Sequence, residues 1–160
     1  MTTFDNCWTA LVGNEGGYSN NPEDAGGETM WGITARVARA HGYTGDMKDL
    51  PQETAKRIAK EDYWDPYHCD DLPAIIAFQV LDTAYNGGHT VMWLQQAVGV
   101  LADGVMGPIT VKAVQVANPY IVVMRFLAYR LKYMKDARKW PYFSRGWADR
   151  IANNLLRAAK

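Results

Sequence analysis

Apolar residues recur three and four positions apart through most of the chain, and proline, glycine and asparagine separate the segments that show this spacing. A first amphipathic helix is predicted from Phe4 to about Asn14, after two threonines that can cap it. Seven further helices are predicted, because a capping or breaking residue stands at each of their ends. Their approximate bounds are 35–41, 51–64, 73–86, 90–98, 108–117, 120–138 and 146–158.

The segment 120–138 is predicted to be the longest helix, and a break at Trp140-Pro141 separates it from the last one. Helical spacing places five of its residues on one face. They are Ile121, Met124, Ala128, Leu131 and Lys135.

Residues 16–32 interrupt the helical pattern near the start of the chain. They hold five of the 14 glycines together with Pro22, which are too many breaking residues for a helix. A loop or a short irregular hairpin is therefore predicted here. With no repeat or low-complexity stretch elsewhere, the pattern indicates a mainly α fold with one glycine-rich insertion.

The composition suits one globular domain made in the cytosol. The chain has 160 residues, of which 48% are apolar and 21% charged, so a core can form and disorder is not expected. The first twenty residues lack a basic start followed by an apolar core, so no secretory signal is expected. Cys7 and Cys69 are expected to be buried reduced thiols. Three scattered histidines show no metal-ligand spacing, so neither a metal nor another cofactor is expected.

The net charge of zero hides a strong asymmetry between the two parts of the chain. Residues 1–111 carry six basic and fifteen acidic residues, a balance of −9, whereas residues 112–160 carry eleven basic and two acidic ones, a balance of +9. One interpretation is a basic face that binds an anionic envelope surface, such as the outer membrane. The other is two parts of one fold that attract each other. Nucleic acid is not an expected partner, because no recognised binding motif accompanies the charge.

Two carboxylates in contrasting surroundings mark the glycine-rich insertion as the candidate site. Glu15 follows the first predicted helix, where the negative end of the helix dipole disfavours its ionised form and suits a general acid. Asp24 lies in a polar loop that would keep it ionised, and Thr29 can hold a water. This pairing is typical of glycoside hydrolysis. The alternative is that Glu15 caps a turn and Asp24 forms an Asx-turn.

The string EGGYSNNPEDAGGETMWGIT resembles the signature of glycoside hydrolase family 108. That family comprises phage and bacterial N-acetylmuramidases with a lysozyme-like helical fold. The resemblance implies that Glu15 is the catalytic acid, with Asp24 as second carboxylate and Thr29 beside it. Four residues separate Asp24 from Thr29, whereas five separate the matching residues of phage-type lysozymes.

Motifs further along the chain extend the resemblance over nearly its whole length. Asp82, Asn86 and Gly87, followed by residues 93–96, resemble the family's D-x-x-x-N-x-G and W-L-Q runs. Residues 103–110 are similar to the DG-x-x-GP-x-T core of predicted peptidoglycan-binding segments. Gly146-Trp147 and Arg150 resemble the family's closing motif. The resemblance implies one lysozyme-like catalytic domain over 1–160, with a muramidase part over about 1–90 and a predicted peptidoglycan-binding helical part over about 91–160. The glycines of 93–117 also suit a tight connection between two helices.

Four residues are candidates for substrate binding. Tyr18 and Trp31 lie in the glycine-rich insertion, where aromatic rings can pack on the apolar faces of sugars. Asn86, beside Tyr85 and two glycines, suits a contact with a sugar N-acetyl or hydroxyl group. The other interpretation for the aromatic residues is core packing, which is assigned to Trp8, Trp93, Trp140 and Trp147.

Three functions are compatible with these residues. The first is an antimicrobial phage endolysin, a monomeric muramidase that hydrolyses the β-1,4 bond between N-acetylmuramic acid and N-acetylglucosamine of bacterial peptidoglycan. It would reach the wall after a holin-dependent release from the host cytoplasm. The second is a lytic transglycosylase, in which the muramic 6-hydroxyl replaces water. The third is a non-catalytic cationic protein that binds the wall or permeabilises the membrane through residues 112–160.

Overall fold

The computed structural model describes residues 3–13, 17–20 and 27–160. In these residues the chain forms eight α-helices and one two-stranded sheet. The mainly α, lysozyme-like class predicted from the sequence is confirmed, including the short hairpin near the N-terminus. The chain divides into two compact units, Met1–Pro66 and Tyr67–Lys160. A single catalytic domain whose two parts meet near residue 90 stays a prediction.

The first unit contains three helices and the hairpin. Its elements are α1 (Thr3–Val12), β1 (Thr29–Met30), β2 (Ile33–Thr34), α2 (Ala35–Ala40) and α3 (Gln52–Tyr63). Helix α1 ends two residues earlier than predicted. Gly13 takes a left-handed φ of +50°, which closes the last turn through a hydrogen bond from its N–H to the Thr9 carbonyl at 3.0 Å.

Helices α1 and α3 pack together in the first unit. The ring of Phe4 meets that of Trp64 edge-on, with the two centroids 5.2 Å apart, and Trp8 is buried as predicted. The Lys56 ammonium binds the Asp5 carboxylate at 2.7 Å across the same pair of segments. Apolar packing and an ion pair therefore both hold the start of α1 against α3.

The second unit is entirely helical in its regular structure. Its helices are α4 (Ala74–Asn86), α5 (Thr90–Val98), α6 (Pro108–Val116), α7 (Pro119–Asp136) and α8 (Trp140–Ala158). The prediction that Trp140-Pro141 breaks the chain was wrong. Proline fits the first turn of a helix, where its missing N–H has no partner to lose, so α8 begins at Trp140 and is longer than α7.

The face proposed for α7 from its apolar spacing points to solvent in the structure. Ile121, Met124 and Leu131 are exposed, while the buried face is a neighbouring stripe that contacts α4, α5 and α8. That stripe comprises Val122, Val123, Phe126, Leu127, Arg130 and Met134. Apolar residues surround the first half of this helix, so the spacing alone selected the wrong face.

Both cysteines are buried and neither forms a disulfide, as predicted. Within the described ranges, every helix is too short or too polar to cross a membrane.

Candidate functional site

The hairpin of the first unit places Thr29 in the middle of three backbone segments. Thr29 pairs with Thr34 across the antiparallel sheet, and on its other side it exchanges two backbone hydrogen bonds with Ser19, at 2.8 and 2.9 Å. The turn consists of Trp31 and Gly32 with φ angles of +56° and +81°, the signs of a type I′ hairpin turn. The backbone of Thr29, the residue predicted to hold a water, is therefore paired with a neighbouring segment on each side.

Trp31, at the tip of this hairpin, has a backbone conformation that bulky residues rarely adopt. A positive φ is sterically unfavourable for a side chain with a Cβ, and such residues persist where their surroundings hold them. The indole N–H of Trp31 donates to the Leu50 carbonyl at 2.9 Å. The half-buried ring of Trp31 stays a candidate sugar contact, but its N–H group already has a hydrogen-bond partner within the protein.

Tyr18 lies one residue before the Ser19–Thr29 bridge and makes a strong hydrogen bond there. Its hydroxyl donates to Glu28 Oε1 at 2.5 Å, and the Lys48 ammonium lies 5.2 Å from the centroid of its ring. The hydrogen bond to the Glu28 carboxylate, together with the charge of that carboxylate, raises the pKa of Tyr18 above its usual range. The neutral phenol thus serves as a donor.

Glu28, the hydrogen-bond partner of the candidate residue Tyr18, was missed by the sequence analysis. The signal was its position between Gly27 and Thr29, inside the same motif as the two candidate carboxylates. Glu15 and Asp24 themselves lie outside the described residues. Their roles as general acid and second carboxylate stay predictions, whereas Tyr18, Thr29 and Trp31 come together around the hairpin.

Asn86 and Tyr85 belong to the second unit, at the C-terminal end of α4. The Asn86 side chain is exposed, and its Nδ2 donates to the backbone carbonyl of Asp82 at 2.7 Å and to Asp82 Oδ1 at 3.4 Å. Tyr85 is half-buried beside it. Gly87 and Gly88 follow with φ angles of +84° and +151°, which turn the chain away from the helix.

Asp82 is a buried carboxylate that binds groups from three helices. Besides Asn86 on its own helix, it accepts hydrogen bonds from Arg130 on α7, from Arg150 at 2.7 Å and from Asn154 at 2.9 Å, both on α8. Burial by itself raises its pKa, but the two guanidinium groups and these donors outweigh burial and hold the pKa of Asp82 below its ordinary value. The family-like residues Asp82, Asn86 and Arg150 thus form one charged network.

The motif of the predicted peptidoglycan-binding segment surrounds a buried glutamine. Gln95 Nε2 donates to Asp103 Oδ1 at 2.7 Å and to Thr110 Oγ1 at 3.1 Å, while Gln95 Oε1 accepts from the Gly104 N–H at 2.9 Å. The Val105 N–H and the Gln95 amide bind Asp103 and lower the pKa of that exposed carboxyl. These contacts support the alternative of a tight connection between α5 and α6.

In the described part of the chain, no group of three or more histidine, cysteine or acidic side chains is arranged to hold a metal ion.

Comparison with known proteins defines the class of this chain. Residues 8–88, which include all seven candidate site residues, match the family model of glycosyl hydrolase 108. The protein is therefore a glycoside hydrolase, and it belongs to the glycosyl hydrolase 108 family. Its fold is similar to the solved structure of SagA from Brucella abortus, with 32% identity and a TM-score of 0.88 over 98% of this chain and 94% of that chain. No curated protein matched the chain.

Proposed function

We propose that the protein is a peptidoglycan hydrolase of the N-acetylmuramidase type, which cleaves the β-1,4 bond between N-acetylmuramic acid and N-acetylglucosamine. The observation that carries this proposal is the family match over residues 8–88, which includes Glu15. The exposed Asn86 and the half-buried rings of Tyr18 and Trp31 support a sugar substrate, because polar amides and aromatic rings are the groups that bind sugars.

In the proposed mechanism, Glu15 protonates the leaving glycosidic oxygen while an oxocarbenium-like centre forms at the sugar carbon. Water then attacks this centre from a position set by Asp24 and Thr29. The hairpin supports the part assigned to Thr29, since its backbone is hydrogen-bonded on both sides. Proton donation of this kind contributes about 10²–10⁴-fold to the rate.

A turbidity assay on purified peptidoglycan tests the role of Glu15. Glu15→Gln keeps the shape of the side chain but has no proton to donate, so lysis should fall at least about 100-fold. Glu53→Gln, an exposed substitution in the first turn of α3, is the matched control and should lyse like the wild type. Activity above a tenth of wild type in Glu15→Gln would overturn the assignment.

The products distinguish the two enzymatic mechanisms. Mass spectrometry should find reducing ends if water is the acceptor, whereas 1,6-anhydro ends would show a lytic transglycosylase. Inversion at the anomeric carbon is expected if Asp24 activates water, which requires the carboxyls of Glu15 and Asp24 to lie about 6.5–9.5 Å apart. Asp24→Asn should then reduce activity as much as Glu15→Gln, and a much smaller loss would remove Asp24 from the mechanism.

We further propose that the start of α8 attaches the enzyme to an anionic outer-membrane surface. Here Tyr142 is 83% exposed, Phe143 is also exposed, and the Lys139 ammonium lies 5.9 Å from the Phe143 ring. Arg138 and Arg145 flank these rings and are exposed as well. We call these five residues the basic–aromatic surface. Exposed rings beside cations suit a boundary between charged head groups and apolar chains.

Charge neutralisation tests this attachment. Arg138→Gln, Lys139→Gln and Arg145→Gln together should reduce lysis of intact cells at low salt, with little change on isolated peptidoglycan, because screening removes such attraction. The control variant loses the same charge at three other exposed positions, namely Arg36, Lys112 and Lys160. Equal losses for the two variants, or equal losses on both substrates, would overturn the proposal.

The enzyme would meet peptidoglycan after release from the cytosol, and the part over 91–160 would hold the glycan for the catalytic part. The polar motif residues of the α5–α6 connection form hydrogen bonds with one another. The side chains that we propose to contact the glycan are therefore the exposed apolar ones of Leu101, Val105 and Ile109. Ile109→Ser should then weaken retention on purified peptidoglycan in a sedimentation assay, and unchanged retention would contradict it.

A further inference from the structure

Tyr18 and Glu28 lie on the same face of the backbone bridge that joins two segments of the glycine-rich insertion. Ser19 and Thr29 form this bridge in antiparallel pairing. Successive side chains of an extended chain point to opposite faces, so Tyr18 and Glu28 share the face that the bridged pair does not use. On that face the Tyr18 hydroxyl donates to Glu28 Oε1 at 2.5 Å. A backbone pair and a side-chain pair therefore hold the same two segments together.

Glu28 is also attached to the helix that follows the hairpin. Its backbone carbonyl accepts a hydrogen bond at 2.8 Å from the N–H of Ala35, the first residue of α2. The half-buried carboxylate of the same residue binds Tyr18. Glu28 is thus the residue at which the hairpin, the start of α2 and the segment of Tyr18 meet.

The Tyr18 ring has a contact on a further segment of the first unit. Lys48 belongs to a short 3₁₀ turn, and its ammonium lies 5.2 Å from the centroid of the Tyr18 ring. The Leu50 carbonyl, directly after that turn, accepts the hydrogen bond from the Trp31 indole at the hairpin tip. The segment 48–50 therefore supports the Tyr18 ring and the hairpin tip together.

Only a few residues of chain separate this pair from the two candidate carboxylates. Glu15 stands three residues before Tyr18, and Asp24 stands four residues before Glu28. An extended chain advances at most about 3.6 Å per residue, so these separations correspond to at most about 11 Å and about 14 Å. A displacement of Tyr18 relative to Glu28 therefore changes the positions that the two carboxylates can take relative to each other.

We propose that Glu28 is a positioning residue, which acts through the Tyr18 hydroxyl to hold Glu15 and Asp24 at their working distance. The inference rests on the proposed function, because it assigns a part in the same reaction to a residue that does not touch the reacting atoms. The Tyr18 hydroxyl donates to the protein rather than to the glycan, while the Tyr18 ring stays a candidate sugar contact. Glu28 is required as a hydrogen-bond acceptor, and its charge is secondary.

Steady-state kinetics of the full chain on soluble peptidoglycan strands test this role. Tyr18→Phe keeps the ring and removes only the hydroxyl, so kcat should fall at least about fivefold while KM stays within about twofold. The reason is that a misplacement of about 1 Å can cost about 100-fold in rate. Glu28→Ala should cause a similar loss. Glu28→Gln keeps an oxygen that accepts the hydrogen bond and should keep most of kcat.

The double variant shows whether the two residues act through one another. If they do, Tyr18→Phe combined with Glu28→Ala should lose no more kcat than the larger single loss, whereas independent roles would multiply the two losses. Tyr120→Phe on α7 and Glu53→Ala on α3 are matched controls at exposed positions and should behave like the wild type. Multiplied losses, or an unchanged kcat in Tyr18→Phe with or without a raised KM, would overturn the proposal.

Amide hydrogen exchange tests the same pair without turnover. The Ser19 and Thr29 amides donate to each other's carbonyls at 2.9 and 2.8 Å, so their exchange reports the opening of the bridge. Tyr18→Phe should speed exchange at both amides about 2- to 10-fold, which corresponds to one net hydrogen bond. The amide of Ile58, a buried residue of α3, is the reference that should not change.

The exchange data separate the failure of this inference from that of the proposed function. Unchanged exchange at Ser19 and Thr29 in Tyr18→Phe would refute the positioning role, even in an active enzyme. A wild type without turnover, together with faster exchange in Tyr18→Phe, would refute the proposed function while the link between the two segments stands. If the Ile58 amide also loses protection, the variant has unfolded, and Glu28→Ala supplies the measurement.

Discussion

Replacing Asp82 with asparagine tests the charged network that joins α4, α7 and α8. The substitution keeps the size of the side chain but removes the negative charge that two guanidinium groups share. The side chain of Arg130 is only 3% exposed, so it would be left as a buried cation without its counterion. Arg150, at 37% exposed, can recover part of its hydration.

The expected loss follows from these exposures. Removing one partner of a buried ion pair lowers the free energy of unfolding by about 3–5 kcal/mol. We assign most of this loss to Arg130, since the solvent screens Arg150. For a chain of this length, each kcal/mol lowers the melting temperature by about 2–4 °C, so Asp82→Asn should melt about 6–20 °C below the wild type.

Urea unfolding followed by circular dichroism measures the loss. Asp136→Asn is a matched control, because Asp136 pairs with Lys135 at the end of α7 but is 72% exposed. An exposed pair of this kind contributes at most about 1 kcal/mol. Replacing Asp82 and Arg130 together with leucine and methionine should recover part of the stability, since no buried charge is then left unpaired.

The pH dependence supplies an independent check. Because the pKa of Asp82 is lower in the folded protein than in the unfolded chain, its stabilising contribution is complete above the unfolded value of about 3.9. It is lost as the pH falls below that value through the folded pKa. Asp82→Asn should therefore show a smaller loss of stability on acidification than the wild type. A loss no greater than that of Asp136→Asn at neutral pH, with an unchanged acid profile, would refute the reasoning.

Three further substitutions test local features by thermal or urea unfolding. Gly88→Ala should destabilise the protein by more than about 1 kcal/mol and change the near-ultraviolet signal of Trp93, because its φ of +151° and the adjacent ring exclude a methyl group; a neutral result would contradict the close contact. Gln95→Leu should lower the free energy of unfolding by about 1–3 kcal/mol for each buried polar group left without a partner. It should also raise the pKa of Asp103 towards its usual value, which NMR titration measures. Thr34→Ala should lower the free energy of unfolding by about 0.5–2 kcal/mol, because the Thr34 hydroxyl caps α2. Thr34→Ser keeps a hydroxyl and should therefore keep most of that stability, and equal losses for the two variants would exclude capping.

The helices could be predicted from the sequence because their ends carry local signals. Pro51, Pro73 and Pro108 each mark the start of a helix, and Gly99 lies in the left-handed conformation directly after α5. These signals act over a few residues and need no knowledge of the rest of the fold. Pro141 has the same chemistry but was read as a break, since a proline in a helix-forming region is compatible with either outcome.

Long-range partners could not be predicted in the same way. Arg130 lies on a helix rich in basic residues, and no local signal distinguishes it from them, because its partner Asp82 is 48 positions away. The motif resemblance brought Asp82, Asn86 and Arg150 forward together, yet it could not say that they bind one another. Glu28 was missed for a similar reason, because its role depends on the ten-residue return of the chain to Tyr18.

The left-handed backbone of Trp31 has a consequence for attempts to stabilise this enzyme. Glycine and asparagine take such a conformation more easily than tryptophan, so a selection for heat resistance alone would favour replacing the indole at the hairpin tip. The Trp31 ring, a candidate sugar contact, would be lost in that same step, together with its hydrogen bond to the Leu50 carbonyl. Thermostable variants are therefore better sought at exposed positions elsewhere, such as Leu156, where a substitution keeps the Trp31 side chain in the sequence.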